Sequence, residues 1–278
     1  MSKLLSANIM RLWKEKVFWI VIAVVFTLGV AIPISIKITE IRLGVFNSID
    51  PVFGQFAMFI GVVLAIFCSF FVGKEYSDGT IRNKIICGKK RVDIYFANFV
   101  TCTVVSLMLC AAFFLPYLGI GIPLIGSFNM EKEIVYWLFL TVIFLSIAFA
   151  SIFNLISMLS TSKAVTATVC ILLTFLFLYM GFQFRGMLNQ PEIIDGTAYD
   201  ENGVAYKEVE DFPNPEYLQG NERQVVQFLF NLMPGGQVAQ CVGRGTVGNL
   251  SQLPIYSLGV ILITTGIGVF VFKKKDLK

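Results

Sequence analysis

The chain has no histidine, and only 14% of its 278 residues carry charge. Soluble globular proteins have about a quarter charged, and the shortage here comes with 56% hydrophobic residues and a mean hydropathy of +0.76. Together these argue against a water-soluble fold. Without histidine, the mixed Cys/His metal site has no ligand set. Also missing is a G-x-x-x-x-G-K-[ST] loop. Cys87-Gly88-Lys89-Lys90 has the lysine, but neither the preceding glycine-rich turn nor the Ser or Thr that would hold magnesium. No catalytic serine motif or paired carboxylates occur in the apolar runs, so the chain reads as a non-enzyme with no metal or cofactor of its own.

What is present is apolar length. Six stretches meet the requirement of about twenty residues per bilayer crossing: Val17–Ile36, Val52–Val72, Ile94–Ile120, Ile134–Leu159, Val165–Phe184 and Leu253–Phe272. The first is too long for a signal-peptide core and has no A-x-A-like cleavage site after it, so it is expected to remain as a helix. None of the six contains Asp, Glu, Lys or Arg. A proton relay needs such groups near mid-membrane, which argues against a proton-driven pump. No solenoid repeat or low-complexity linker divides the chain, so residues 1–278 read as one all-α membrane domain.

Six crossings put both termini on one side. With the N-terminus inside, residues 1–16, 73–93, 160–164 and 273–278 hold 15 of the 22 Lys and Arg, and the other side holds 7. The positive-inside rule therefore predicts cytoplasmic termini. The basic residues flank apolar spans and form no basic-aromatic surface, so nucleic acid is not an expected partner. Cys68, Cys102, Cys110 and Cys170 lie within spans, Cys87 on the reducing side and Cys241 alone outside, a distribution that offers no disulfide.

Three segments lie outside the spans. Residues 1–16 are amphipathic, with Leu5, Ile9, Leu12 and Trp13 at helical spacing and Lys3, Arg11, Lys14 and Lys16 on other faces. This segment is expected to lie along the inner leaflet, its bases attracting anionic lipid. Residues 73–93 form a charged island. Within it Asp78 or Thr80 caps a short helix, Ile81, Ile85 and Ile86 form one apolar face, and Gly88 ends it. So short a helix needs a surface to dock on, either lipid or a groove in another protein. Residues 185–252 are the large extracellular segment. Its first part is turn-rich (Asp195-Gly196, Asn202-Gly203, Pro213-Asn214-Pro215), and Val225–Met233 reads as a short amphipathic or re-entrant helix closed by Pro234-Gly235-Gly236.

Neutral polar residues inside the spans include Asn98 in the third and Asn154 in the fourth. Interhelical hydrogen bonding accounts for most such positions, and these two amides are the candidates for a substrate pathway. With 27 phenylalanines, any cavity between helices is expected to be aromatic and apolar.

The residues Glu75-Tyr76-Ser77-Asp78-Gly79-Thr80-Ile81-Arg82-Asn83, followed by Gly88-Lys89-Lys90-Arg91, stand directly after the second span. Farther on come Asn231-Leu232-Met233-Pro234-Gly235-Gly236-Gln237 before the last span and the tail Phe272-Lys273-Lys274-Lys275-Asp276-Leu277-Lys278. In this order the chain resembles the permease subunit of type-2 ATP-binding cassette (ABC) exporters of the bacterial bacteriocin-immunity and drug-efflux kind. The resemblance implies a multi-pass protein of the bacterial cytoplasmic membrane. It also implies a separate cytoplasmic ATPase that binds ATP and magnesium, and a second permease copy or related permease that completes the path. The island helix becomes a coupling helix, with Glu75, Gly79, Thr80, Ile81, Arg82 and Ile85 as partner-binding candidates and residues 1–16 as a connecting helix. The cargo implied is a peptide antibiotic or a hydrophobic or amphipathic compound. Two other classes fit the composition: a gradient-driven channel or secondary carrier, and an assembly or sensory subunit that moves nothing.

Overall fold

The computed structural model describes residues 1–44, 48–194, 197–199, 205–207, 212–243 and 249–275. The expected turns at Asp195-Gly196 and Asn202-Gly203 and the tail Asp276-Leu277-Lys278 lie outside these. The architecture is that of an all-α membrane protein, with six helices among the described residues long and apolar enough to cross a bilayer. Helix α1 (Ser2–Lys14) breaks at Glu15 into α2 (Lys16–Leu43). There follow α3 (Asp50–Phe53), α4 (Phe56–Ser77), the short α5 (Thr80–Ile86), α6 (Arg91–Ile125), α7 (Lys132–Leu159) and α8 (Lys163–Leu188). Helices α9 (Gly220–Leu232) and α10 (Pro234–Val242) precede the last span, α11 (Leu253–Lys274).

Between α8 and α9 lie two antiparallel two-stranded ribbons. Strand β1 (Ile193–Ile194) pairs with β4 (Phe212–Pro213), and β2 (Thr197–Tyr199) with β3 (Ala205–Lys207). Asn214 ties the first ribbon to the segment that follows α8 and makes the turn there: it donates to the Pro191 carbonyl at 2.9 Å and accepts from the Glu216 amide at 2.9 Å.

Helix α6 packs on α2 and α7; α7 also packs on α4 and α11, and α4 on α8. The core is rich in aromatic pairs, including Phe56 stacked on Phe113 at 4.1 Å and Phe67 on Phe71 at 5.2 Å. Such pairs add about 0.5–1.5 kcal/mol beyond burial. Most of the spans outrun the stretches read from hydropathy, because a helix does not stop where its apolar residues stop. Helix α2 continues past Ile36 through a Lys37–Glu40 pair at 3.1 Å, and α4 continues past Val72 to Ser77. That continuation turns Glu75 from a residue of the charged island into the last turn of a packed helix.

The sequence around Pro234 does two things. Helix α9 ends at Leu232, so Pro234-Gly235-Gly236 closes a helix as expected, and it also opens a second one, α10, with proline in the first turn where its missing N–H costs nothing. The glycines explain where α10 goes. A Cβ on Gly235 would stand 1.6 Å from the Phe177 carbonyl oxygen, and one on Gly181 would stand 2.1 Å from the Gly235 carbonyl oxygen. Helices α8 and α10 thus meet backbone to backbone, and residues 234–241 are buried throughout. Cys241, expected to face outward, is enclosed among them, and burial pushes its thiol up to about 12.

Replacing Gly235 with Ala is expected to destabilise the fold by at least about 3 kcal/mol, the upper range of overpacking, because the obstacle is backbone. Gly186→Ala, where the added carbon meets nothing within 4 Å, leaves stability unchanged or slightly raised. Thermal unfolding in detergent checks both.

Candidate functional site: a buried ion cluster

At the end of the bundle that gathers α1, α5 and the end of α11, one carboxylate organises five helices. Glu75 has a fully buried side chain. Its Oε1 accepts short ion-paired hydrogen bonds from Arg11 on α1 and Lys84 on α5. Its Oε2 accepts from Asn98 Nδ2 on α6 at 2.9 Å. Asn8 Nδ2 donates to Asn98 Oδ1 at 2.6 Å, Lys84 Nζ reaches Asn8 Oδ1 at 3.2 Å, and Asn98 Nδ2 lies 3.3 Å from Met158 Sδ on α7. The Arg11 guanidinium also lies 3.9 Å from the centre of the Phe71 ring.

Local sequence builds this arrangement. Gly79 takes the left-handed conformation (φ 66°) that lets the chain turn sharply between α4 and α5, and a side chain there would be strained. Thr80 Oγ1 donates to the Glu75 carbonyl at 2.9 Å, tying the start of α5 to the end of α4. Ile81 is 1% exposed and packs inward, with Ile85 partly buried one turn later. Ile86, expected on the same face, points the other way and is 73% exposed. On a 3.6-residue helix, positions 81 and 85 share a face while 86 is rotated about 100° from 85. Arg82 and Asn83 are exposed with it.

The six island candidates therefore divide. Glu75, Ile81 and in part Ile85 hold the island on the bundle, Gly79 and Thr80 shape the turn, and Arg82 presents its side chain outward. Arg11, Lys84 and Asn8 join the cluster, and Ile86 and Asn83 the surface, without a signal of their own in the sequence. The i, i+4 spacing of Thr80 and Lys84 and the i, i+3 spacing of Asn8 and Arg11 are visible there, but their common partner is not.

The two amides proposed for a substrate pathway also part company. Asn98 has both amide atoms engaged in the ion cluster and is a structural joint. Asn154 lies one turn before Met158, fully buried, with neither amide atom hydrogen-bonded.

A second set of contacts fixes the end of α11. Lys275 Nζ donates to Tyr76 Oη at 3.1 Å and to the Met158 carbonyl at 3.3 Å, and Arg91 Nη1 donates to the Phe272 carbonyl at 3.2 Å. Burial lowers the Lys275 ammonium from its ordinary value.

The two larger cavities lie elsewhere. One, of about 570 Å³ between α6 and α7, is lined by Leu107, Phe114, Leu118 and Phe139, and opens on the outside of the bundle, where Leu115 is 74% exposed. The other, of about 560 Å³, is polar, with Arg223, Gln224, Gln227 and Tyr256 between α9 and α11. Beneath it Asn231 accepts from Gln227 and Gln240 at 3.1 Å each, and Ser257 donates to Gln237 at 2.5 Å.

Removing one partner of a buried ion pair costs about 3–5 kcal/mol, because the remaining charge stays buried and unpaired. Glu75→Ala is expected to lose that much stability, and Arg11→Ala less, since Arg11 is part-exposed and Lys84 still pairs with Glu75. In a double-mutant cycle the two are expected to couple by more than about 0.5 kcal/mol, read from denaturation midpoints. A scan against protein-family models finds no match to this chain, and a search of curated proteins finds none either.

Proposed function

We propose that the chain is the permease subunit of an ABC exporter in the bacterial cytoplasmic membrane, with the ion-cluster end facing the cytoplasm and α5 docking on a separate ATPase. The observation that carries this reading is the division of α5. One face, with Ile81, is buried against the bundle, and the other offers an exposed apolar Ile86 between Arg82 and Asn83. A short helix with an apolar anchor and flanking polar groups is what a groove in a soluble partner recognises. The orientation rests on the excess of Lys and Arg at that end.

In this reading the energy enters at α5. ATP and magnesium bind in the partner, and closure of two ATPase copies displaces the helix. Lys84 and Arg11 carry that displacement to Glu75, hence to α4, and Asn98 carries it to α6. A buried ion pair resists separation, so the five helices move together and not one by one. A second permease copy completes the path. The apolar cavity between α6 and α7 supports a hydrophobic or amphipathic cargo, peptide antibiotics included. Export is the direction the family resemblance implies.

Ile86→Asp and Arg82→Ala are expected to leave the permease folded and in the membrane but to abolish recovery of a Walker-motif ATPase in co-purification from native membranes. Ile81→Asp is expected to lose both the ATPase and stability. An Ile86→Asp variant that retains its ATPase would sink the docking assignment. A wild-type chain that recovers no ATPase would favour a gradient-driven carrier.

A further inference from the structure

We infer that the cavity between α1 and the end of α4 is a binding site for the phosphate headgroup of an anionic phospholipid. The cavity measures about 410 Å³ and is lined by Ala7, Met10, Arg11, Lys14, Glu15 and Lys74. That lies within the about 300–1,000 Å³ typical of small-ligand sites. Three cations face it against one carboxylate. Lys74 pairs with Glu15 at 2.9 Å and Arg11 with Glu75, while Lys14 has no ion pair among the described residues. Arg11 Nε is buried with no hydrogen-bond partner. The site thus keeps an uncompensated positive charge at Lys14 beside the Arg11 guanidinium, which a phosphate oxygen satisfies.

The surroundings identify the source of that phosphate. Met10 is 61% exposed beside the cavity, and the Trp13 and Trp19 rings lie 5.5 Å apart, joined by a Trp19 Nε1–H bond to the Trp13 carbonyl at 3.0 Å. Exposed tryptophans and a basic amphipathic helix mark the boundary between headgroups and hydrocarbon. A ligand arriving there brings acyl chains for Met10 and the tryptophans to lie against. A soluble anion or an acidic peptide from the aqueous side would leave those side chains in water. Because Lys14 belongs to α1 and Lys74 to α4, one headgroup bridges the two helices that Arg11 and Glu75 already join. The site requires only that this end of the bundle meet a leaflet containing anionic lipid, and it does not depend on the transporter reading.

The test is native mass spectrometry of the full chain extracted in mild detergent from nanodiscs of phosphatidylcholine doped with phosphatidylglycerol. The wild type is expected to retain phosphatidylglycerol in preference to phosphatidylcholine. Lys14→Gln lowers that retention roughly fivefold, and adding Lys74→Gln lowers it by a similar factor again, from about one surface-charge interaction per lysine. Lys14 makes no ion pair among the described residues, so its loss leaves the fold intact. Lys89→Gln with Lys90→Gln removes equal charge from the exposed end of the island and leaves retention unchanged. The assignment is overturned by equal loss in the Lys89/Lys90 variant, which means diffuse attraction, or by unchanged retention in the Lys14/Lys74 variant. It is also overturned if inorganic phosphate displaces the lipid at equal concentration, which means a soluble anion site. Loss of a co-purifying acidic protein in place of the lipid would overturn it too.

Discussion

A carboxylate removed from water must be matched by cations and hydrogen bonds or be neutralised, and the whole basic end of this molecule is arranged around meeting that demand at Glu75. Two cations, one amide and one threonine hydroxyl from α1, α5 and α6 converge on that single residue. None of these contributors would be fixed by its own sequence. Helix α5 is two turns long, and α1 joins the bundle through a break at Glu15, so each would fray alone. The buried charge makes their positions interdependent. Without α1 the carboxylate keeps only Lys84 as its counter-charge, and without the carboxylate α1 and α5 would carry unpaired cations into a largely apolar environment.

The opposite end meets a different demand by different means. There α10 enters the bundle and must satisfy a backbone that no water reaches. Side-chain donors do this: the Gln237 amide donates to the Asn231 carbonyl at 2.9 Å and the Arg185 guanidinium to the Ala239 carbonyl at 3.3 Å. Glycine does the rest, since only residues without a Cβ allow α10 to lie against α8 at the observed distance. One end is therefore held by a buried ion pair, which is strong but depends on every partner, and the other by shape and by hydrogen bonds to backbone carbonyls, which tolerate no added atom.

The six spans were legible because hydrophobic length is a one-dimensional signal that needs no partner. The same signal failed at helix ends. Hydropathy falls at Gly73, yet the α4 backbone continues to Ser77, because Lys74, Tyr76 and Ser77 find partners off the helix or along it. Glu75 was therefore noticed but placed on the surface, when the helix that carries it buries it. Ile86 was misassigned by grouping three isoleucines where helical geometry allows two on one face. The proline-glycine pair stops α9 as the sequence predicts and also starts α10, because a stop and a start share that chemistry. What separates them is whether the glycines have a backbone to meet, and in sequence Gly181 and Phe177 lie more than fifty residues away. Asn98 and Asn154 were equivalent in sequence, and only the fold shows one engaged and the other unpaired.

That last difference places the most satisfied and the least satisfied polar layers of the bundle next to each other. One turn of α7 separates Met158, at the edge of the ion cluster, from Asn154, whose amide has no partner; Tyr95 Oη and Ser157 Oγ are likewise unpaired and buried. Facing them, Gly268 on α11 leaves so little room that a Cβ there would stand 2.0 Å from Tyr95 Oη. A turn deeper, Ser151 Oγ lies 2.5 Å from Thr264 Oγ1 and 3.2 Å from Thr265 Oγ1, within reach of two partners on adjacent residues. A displacement of α7 against α11 lets the Ser151 hydroxyl exchange one threonine for the next. The same displacement across the ion cluster would separate charges in a low dielectric. On the transporter reading proposed above, motion that begins at α5 is carried rigidly as far as Glu75 and Asn98, and the layer of α7 at Asn154 and Ser157 is where no polar bond among the described residues opposes it.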